Sequence, residues 1–288
     1  MPGQTPHAAE APRALTRAEF DRVRALIHRR AGIALNPSKR SMAYSRLSRR
    51  LRALGMTEVS HYLDALEAGG EQAPEWQEFV NALTTNLTAF YREAHHFPVL
   101  AQHLLERAAG RRPLRLWCCA ASSGEEPYTL AMTAVDALGT HTPPVAILAT
   151  DIDTAVLAAA RRGIYAQESV RRLEPALLRR HFLRGKGAHA GSVRVRPELQ
   201  ALVSFRALNL LAPAWPMHGR FDAIFCRNVM IYFDKPTQRR LLERLAGHLA
   251  SDGLLFAGHS ENFAQARALF QAQGRTVYRL APALRAAA

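Results

Sequence analysis

The chain has 288 residues, 48% of them hydrophobic, and a mean hydropathy of −0.14, which suits a soluble globular protein of one large domain or two modest ones. No apolar stretch approaches the roughly 20 residues that cross a bilayer, and the opening MPGQTPHAAEAPRA lacks the apolar core of a signal peptide. Membrane insertion is therefore excluded, residues 1–14 are expected to form a solvated tail, and the protein is expected to be cytoplasmic. A net charge of +14 asks for an acidic partner, whether nucleic acid, anionic membrane or acidic protein, without choosing among them.

Residues 15–90 read as an all-α domain. Leu15, Phe20, Val23 and Ile27 predict a helix over 14–33 with Gly32 as its stop. Asn36-Pro37-Ser38 opens a second helix, strongly basic, carrying Lys39, Arg40, Arg46, Arg49, Arg50 and Arg52 and ending at Gly55. Two more are expected over 59–67 and 74–83, separated by Gly69-Gly70. After a helix from Ala94, apolar runs at 114–120 (LRLWCCA), 145–150 (VAILAT), 203–210 and 221–226 (FDAIFC) alternate with helical stretches. This rhythm predicts an α/β fold over 91–288, a Rossmann-like parallel sheet. It breaks over about 163–202, where glycines and the alternating SVRVR predict a small antiparallel β insertion. A helix over 235–249, a turn at Asp252-Gly253, and strands over 254–259 and 276–280 complete the sheet.

In an open α/β sheet ligands bind outside the carboxyl ends of the strands. There the runs stop on Ser122, Ser123, Gly124, Glu125 and Glu126, on Asp151, and on Arg227 and Asn228. The first loop lacks the G-x-G-x-x-G that cradles pyrophosphate. Its two glutamates occupy a helix N-terminus, where they are favoured by the helix dipole and repel a second anion. The site thus suits a cofactor with a cationic end and no phosphate, which S-adenosylmethionine is, and Asp151 stands where an acidic residue binds ribose hydroxyls. Each carboxylate taken singly also suits a helix cap. Cys118, Cys119 and Cys226 read as small buried hydrophobes in a reducing compartment, and the histidines show no metal-ligand spacing. His259 reads as a helix cap or as a residue of the site's rim.

The blocks LTTNLTAFYREAHHFP (83–98), SSGEEPY, ATDIDT, RVRPEL, FDAIFCRNVMIYF and LLFAGHSEN, in this order, closely resemble the CheR-type chemotaxis receptor methyltransferases, from about Leu15 to Leu280. The resemblance implies methyl transfer from S-adenosylmethionine to glutamate γ-carboxylates of bacterial chemoreceptors. It further implies that Asn86, Thr88 and Arg92 reach the cofactor, that Glu126 takes its ammonium and Asp151 its ribose, that Asn209 and Leu210 line the adenine, and that Arg227 and Asn228 complete the pocket. Arg92 and Tyr232 would stand nearest the transferred methyl. The basic helix, through Arg46, Arg49 and Arg50, is expected to dock the acidic receptor helices. The β insertion is expected to capture a C-terminal receptor pentapeptide, as some relatives do. A cofactor-sensing adaptor without catalysis and a nucleic-acid methyltransferase are the competing readings. Against the second, 227–229 read Arg-Asn-Val, not the Pro-rich aromatic cluster that grips an extruded base, and no nucleic acid is expected as partner. With no apolar heptad in view, a monomer is expected.

Overall fold

The structure, a computed structural model, describes residues 14–108, 110, 112–263 and 266–286, so the expected tail lies almost wholly outside the described residues. The chain divides into two compact units between Leu83 and Thr84.

The first unit holds α1 (Arg17–Ala31), α2 (Arg40–Ala53), α3 (Val59–Ala68) and α4 (Glu75–Leu83). α1 starts at a capping box, with Glu19 N–H on Thr16 Oγ1 and Thr16 N–H on the Glu19 carboxylate, and stops at Gly32, whose φ of 68° suits glycine. A 3₁₀ turn over Pro37–Lys39, capped by Asn36, leads into α2. Phe20, Ile27, Leu47, Leu51, Leu63 and Phe79 are buried inside this unit.

The second unit contains α5 (His96–Arg107), β1 (Leu114–Cys118), α6 (Glu125–Leu138), β2 (Val145–Asp151), α7 (Thr154–Arg162), β3 (Ile164–Ala166), α8 (Pro175–His181), β4 (Phe182–Arg184), β5 (Ser192–Val195) and α9 (Pro197–Ala201). It continues with β6 (Val203–Ala207), β7 (Phe221–Cys226), α10 (Lys235–His248), β8 (Leu249–Ala257), β9 (Phe270–Gly274), β10 (Val277–Leu280) and α11 (Pro282–Ala286). The main sheet runs β6-β2-β1-β7-β8-β10-β9, parallel as far as β8, with β10 and β9 antiparallel. From β1 the chain builds outward through β2 to β6, then returns to β7 on the other side. The switch point therefore lies between β1 and β7. β3-β5-β4 form the separate antiparallel sheet of the insertion.

Two sequence expectations are corrected, and one strand was not foreseen. The helical domain, expected to reach 90, ends with α4 at Leu83, because Thr84 and Asn86 are bonded to Asp153 of the second unit. Asp252-Gly253 does not separate α10 from the last parallel strand: β8 runs through it, and the register jumps from Phe221↔Leu249 to Ala223↔Leu254, so the turn signal is spent on a bulge. β9 escaped prediction because FQAQG on the sheet edge buries only Phe270 and carries no alternation to read.

At the end of the sheet away from the strand carboxyl ends, Asp222 is fully buried. It accepts from Arg107 Nη2 (2.6 Å), Arg112 Nη2 (2.7 Å) and Arg115 N–H (2.8 Å). Burial alone would raise its pKa, but these donors outweigh burial and hold it below the usual range. A depressed carboxyl contributes stability that is present above its unfolded pKa of about 3.9 and lost as pH falls through the folded value. Asp222→Asn is expected to cost about 3 kcal/mol in urea unfolding at pH 7, with the gap to wild type closing as the pH is lowered below about 4. An unchanged midpoint at pH 7 would contradict this assignment.

Candidate functional site

The loop after β1 is shaped by backbone geometry before any side chain acts. Ser122 has φ 49° and Gly124 φ 98°. A Cβ at Gly124 would lie 2.7 Å from the Tyr165 hydroxyl and 2.8 Å from Ala160 Cβ, so only glycine lets the loop sit this close to α7 and β3. Tyr165 O–H fastens it further by donating to the Ser123 carbonyl at 2.8 Å. α6 then begins on Glu125 and Glu126, both buried. Glu125 accepts from Ser123 Oγ at 2.7 Å. Glu126 Oε1 accepts from the Cys118 thiol at 3.2 Å, and Oε2 stands 3.1 Å from Arg227 Nη1. Burial pushes both carboxyls up; for Glu126 the Arg227 charge pulls back.

At the end of β2 the two aspartates divide the work. Asp153 is a true cap: Oδ1 accepts from Ala155 and Val156 N–H, and Oδ2 from Thr84 Oγ1 and Asn86 Nδ2, each at 2.7 Å. Asp151 does not cap α7. It accepts from Ser122 N–H (2.8 Å) and Asp153 N–H (2.9 Å), which aligns the β1 and β2 loops, and burial raises its pKa. Asn86 spends its amide nitrogen on Thr84 and Asp153 and its main-chain carbonyl on Ser122 Oγ. Thr88 is half-buried, and Leu87 between them is 78% exposed. After β6, Leu208 N–H bonds to the Asp151 carbonyl (2.9 Å), setting Asn209 and Leu210 beside this edge. Asn209 Oδ1 accepts from Leu211 N–H, and the Leu210 carbonyl from Trp215 and Arg244.

The third edge follows β7. The Arg227 side chain is fully buried and lies between Glu126 (3.1 Å) and Glu93 (3.5 Å) while donating to the Arg92 carbonyl. Its Nη1 reaches Glu126 off the line of a hydrogen bond, so both Nη1 and Nε keep unspent N–H groups. Asn228, at φ 56°, donates from Nδ2 to Glu93 Oε1 at 3.1 Å. The Arg92 side chain donates to the Leu87 carbonyl at 2.7 Å. Tyr232 ends the 3₁₀ turn Met230–Tyr232, half-buried, with no side-chain hydrogen bond among the described residues.

Glu126, Arg227, Asn228 and the Arg92 backbone are thus joined, and Asp151, Ser122 and Asn86 form a second linked group. Arg46, Arg49 and Arg50 belong to the first unit. Two residues that sequence reasoning passed over hold the site. Buried Glu261 accepts four backbone N–H groups, from Asn228, Val229, Met230 and Gly258, at 2.6–2.9 Å. Burial pushes its carboxyl up while those donors pull it down, and a proton on either oxygen would displace one of them. Glu93 accepts from Asn228 and from His259 Nδ1 at 3.0 Å. Burial opposes its charge, but these bonds and Arg227 outweigh it and hold the carboxyl down at about 2. His259 is therefore a rim residue bonded to Glu93. The signal for Glu261 was its place in LLFAGHSEN, a polar block ending a buried strand beside the β7 loop.

The side chains gathered at these strand ends are carboxylates, small residues and one buried guanidinium. Comparison with known proteins narrows their chemistry. Residues 18–84 match the all-α domain of CheR methyltransferases and residues 86–279 their S-adenosylmethionine-binding domain. The chain belongs to the CheR methyltransferase family. The chemotaxis protein methyltransferase of Escherichia coli K12 is 54% identical over 93% of this chain and 92% of its own length. Chemotaxis protein methyltransferase 2 of Pseudomonas aeruginosa is also 54% identical, over 91% and 93%. The matched domain makes S-adenosylmethionine the cofactor of this chain.

Glu261→Ala would leave four backbone donors without their acceptor. It is expected to cost at least about 2 kcal/mol in urea unfolding and to weaken cofactor binding through the 228–230 loop. Wild-type stability in the variant would remove the clamp from this account.

Proposed function

We propose that this chain is a cytoplasmic S-adenosylmethionine-dependent protein-glutamate O-methyltransferase that acts on bacterial chemoreceptors. The observation that carries the reading is that the buried Glu126 carboxylate starts α6, while buried Asp151 at the end of β2 is bonded to Ser122 N–H of the loop that precedes that helix. This pair accepts a cation and a diol where a nucleotide-phosphate site would offer bare N–H groups.

Glu126 would hold the cofactor's ammonium and Asp151 its ribose, with Asn86, Thr88, Asn209, Leu210, Arg227 and Asn228 around them. When bound, S-adenosylmethionine supplies an activated methyl whose bond to sulfur breaks, the electron pair staying on sulfur, as a carboxylate oxygen of the receptor bonds to carbon. The chain's own task is alignment. A glutamate side chain, pKa about 4.3, is already ionised at neutral pH, so no residue here has to remove a proton. Arg92 positions the incoming carboxylate without gripping it, its guanidinium being shared with the Leu87 carbonyl, and Tyr232 walls the approach.

α2 would dock the acidic receptor helices, and the burial pattern favours some of its arginines over others for this role. Arg50 is turned inward on Glu75, which also accepts from Tyr62, and Arg46 donates to the Leu83 carbonyl. Arg49 and Arg52 are exposed. The docking charge would then rest on Arg49 and Arg52, with Arg46 beside them and Arg50 as a strut. The insertion offers two short edges, β3 and β4, to a receptor C-terminal pentapeptide adding as a strand.

Calorimetric titration with S-adenosylmethionine is expected to show binding to wild type, weakened at least about tenfold in Asp151→Ala. A wild type that does not bind would overturn the reading. Arg49→Ala/Arg52→Ala is expected to slow receptor methylation several-fold, more so in salt, with cofactor affinity intact. Unchanged methylation in the double variant would move docking elsewhere.

A further inference from the structure

The small sheet of the insertion has two unlike faces. Ile164, Arg194 and Leu183 lie in register across β3, β5 and β4 and are exposed, whereas Tyr165, Val193 and Phe182 alternate with them and are buried. β3 has little slack. It follows α7 directly through Gly163, at φ 61°, whose carbonyl accepts from Val195 N–H at 2.8 Å. From this fixed strand Tyr165 makes two contacts with the candidate site. Its hydroxyl donates to the Ser123 carbonyl at 2.8 Å, in the turn before α6, and its ring meets Phe90 edge-on with centroids 4.9 Å apart. Phe182 of β4 meets the same Phe90 edge-on at 5.2 Å.

Phe90 is buried and stands two residues before Arg92, in a segment where Tyr91 and Glu93 both have φ 54°. Non-glycine backbone of this kind persists only where its surroundings over-determine it. Here Tyr91 N–H sits on Thr129 Oγ1 of α6 at 3.3 Å, Arg227 takes the Arg92 carbonyl, and the inward rings of the insertion grip Phe90. The turn that Tyr165 bonds leads into Glu125 and Glu126, and the ring that it packs leads into Arg92. One side chain therefore spaces the turn from the segment. Burial pushes the Tyr165 hydroxyl up, which keeps it a donor.

We propose that Tyr165 is a positioning residue of the methyltransferase site: through the Ser123 carbonyl and the Phe90 ring, the insertion holds the turn before α6 and the Arg92 segment at the separation that the cofactor needs. This role is separate from receptor capture. It rests on the reading that Glu126 and Asp151 receive the cofactor.

Tyr165→Phe keeps the ring and removes the donor. Tyr128→Phe is its matched control, deleting a hydroxyl bonded to the Ala160 carbonyl at 2.8 Å instead of to the turn. Calorimetric titration with S-adenosylhomocysteine, without receptor, is expected to show affinity lowered about fivefold in Tyr165→Phe and less than about twofold in Tyr128→Phe, although urea unfolds both before wild type. In receptor methylation, Tyr165→Phe is expected to raise the KM for S-adenosylmethionine about fivefold while the KM for receptor stays at its wild-type value. Wild-type affinity in Tyr165→Phe, or equal losses in the two variants, would overturn the proposal and leave the hydroxyl a contributor to stability alone. Asp151→Ala separates this failure from that of the cofactor reading. If Asp151→Ala binds as wild type does, the site has been misplaced and the proposal falls with it. Weakened binding in Asp151→Ala beside wild-type binding in Tyr165→Phe overturns the role of Tyr165 only.

Discussion

The buried guanidinium of Arg227 is the interaction on which the site depends. It stands between Glu126 at the start of α6 and Glu93 in the segment before α5, and it holds the Arg92 carbonyl. Two stretches far apart in sequence therefore meet on one side chain at the end of β7. Burying a charge is costly unless it is paired, and here each partner exists to satisfy another. Glu93 answers Arg227, Asn228 and His259; Glu126 answers Arg227 and the Cys118 thiol. The set is not closed, since N–H groups of Arg227 and an oxygen of Glu93 remain unspent.

The fold explains why these residues converge. β1 and β7 are adjacent parallel strands on either side of the switch point, so their following loops leave the sheet in different directions and open a crevice. Gly124 lets the first loop lie flat against α7, and Asp151 ties it to the second. Glu261 fixes the third by gathering successive N–H groups after Arg227. At the opposite end of the sheet, Asp222 with Arg107 and Arg112 closes a second charged cluster that serves cohesion alone.

Much of this was legible from local pattern. The apolar runs became β1, β2, β6 and β7, and the polar stops became the rim of the site, because a strand buried on both faces leaves a continuous apolar signature and its end must turn polar at the surface. The small antiparallel sheet of the insertion was likewise readable from glycines and the alternating SVRVR. What stayed hidden depends on partners distant in sequence. Glu93 reads as one polar residue among REAHH, and only the fold brings it to Arg227 and His259. Arg50 looks like its neighbour Arg49 on a basic helix until Glu75 claims it. Asp153 resembles Asp151 in ATDIDT, yet one caps a helix and the other joins two loops.

The central claim, that a forked guanidinium bridging two carboxylates shapes the cofactor pocket, is tested most directly by Arg227→Lys. The substitution keeps the charge but reduces the fork to a point charge that cannot serve Glu93, Glu126 and the Arg92 carbonyl together. With unfolding by urea as the check on integrity, calorimetric titration with S-adenosylhomocysteine is expected to show affinity lowered at least about tenfold in a folded variant. Wild-type affinity in a folded Arg227→Lys protein would show that charge alone suffices and would contradict the account.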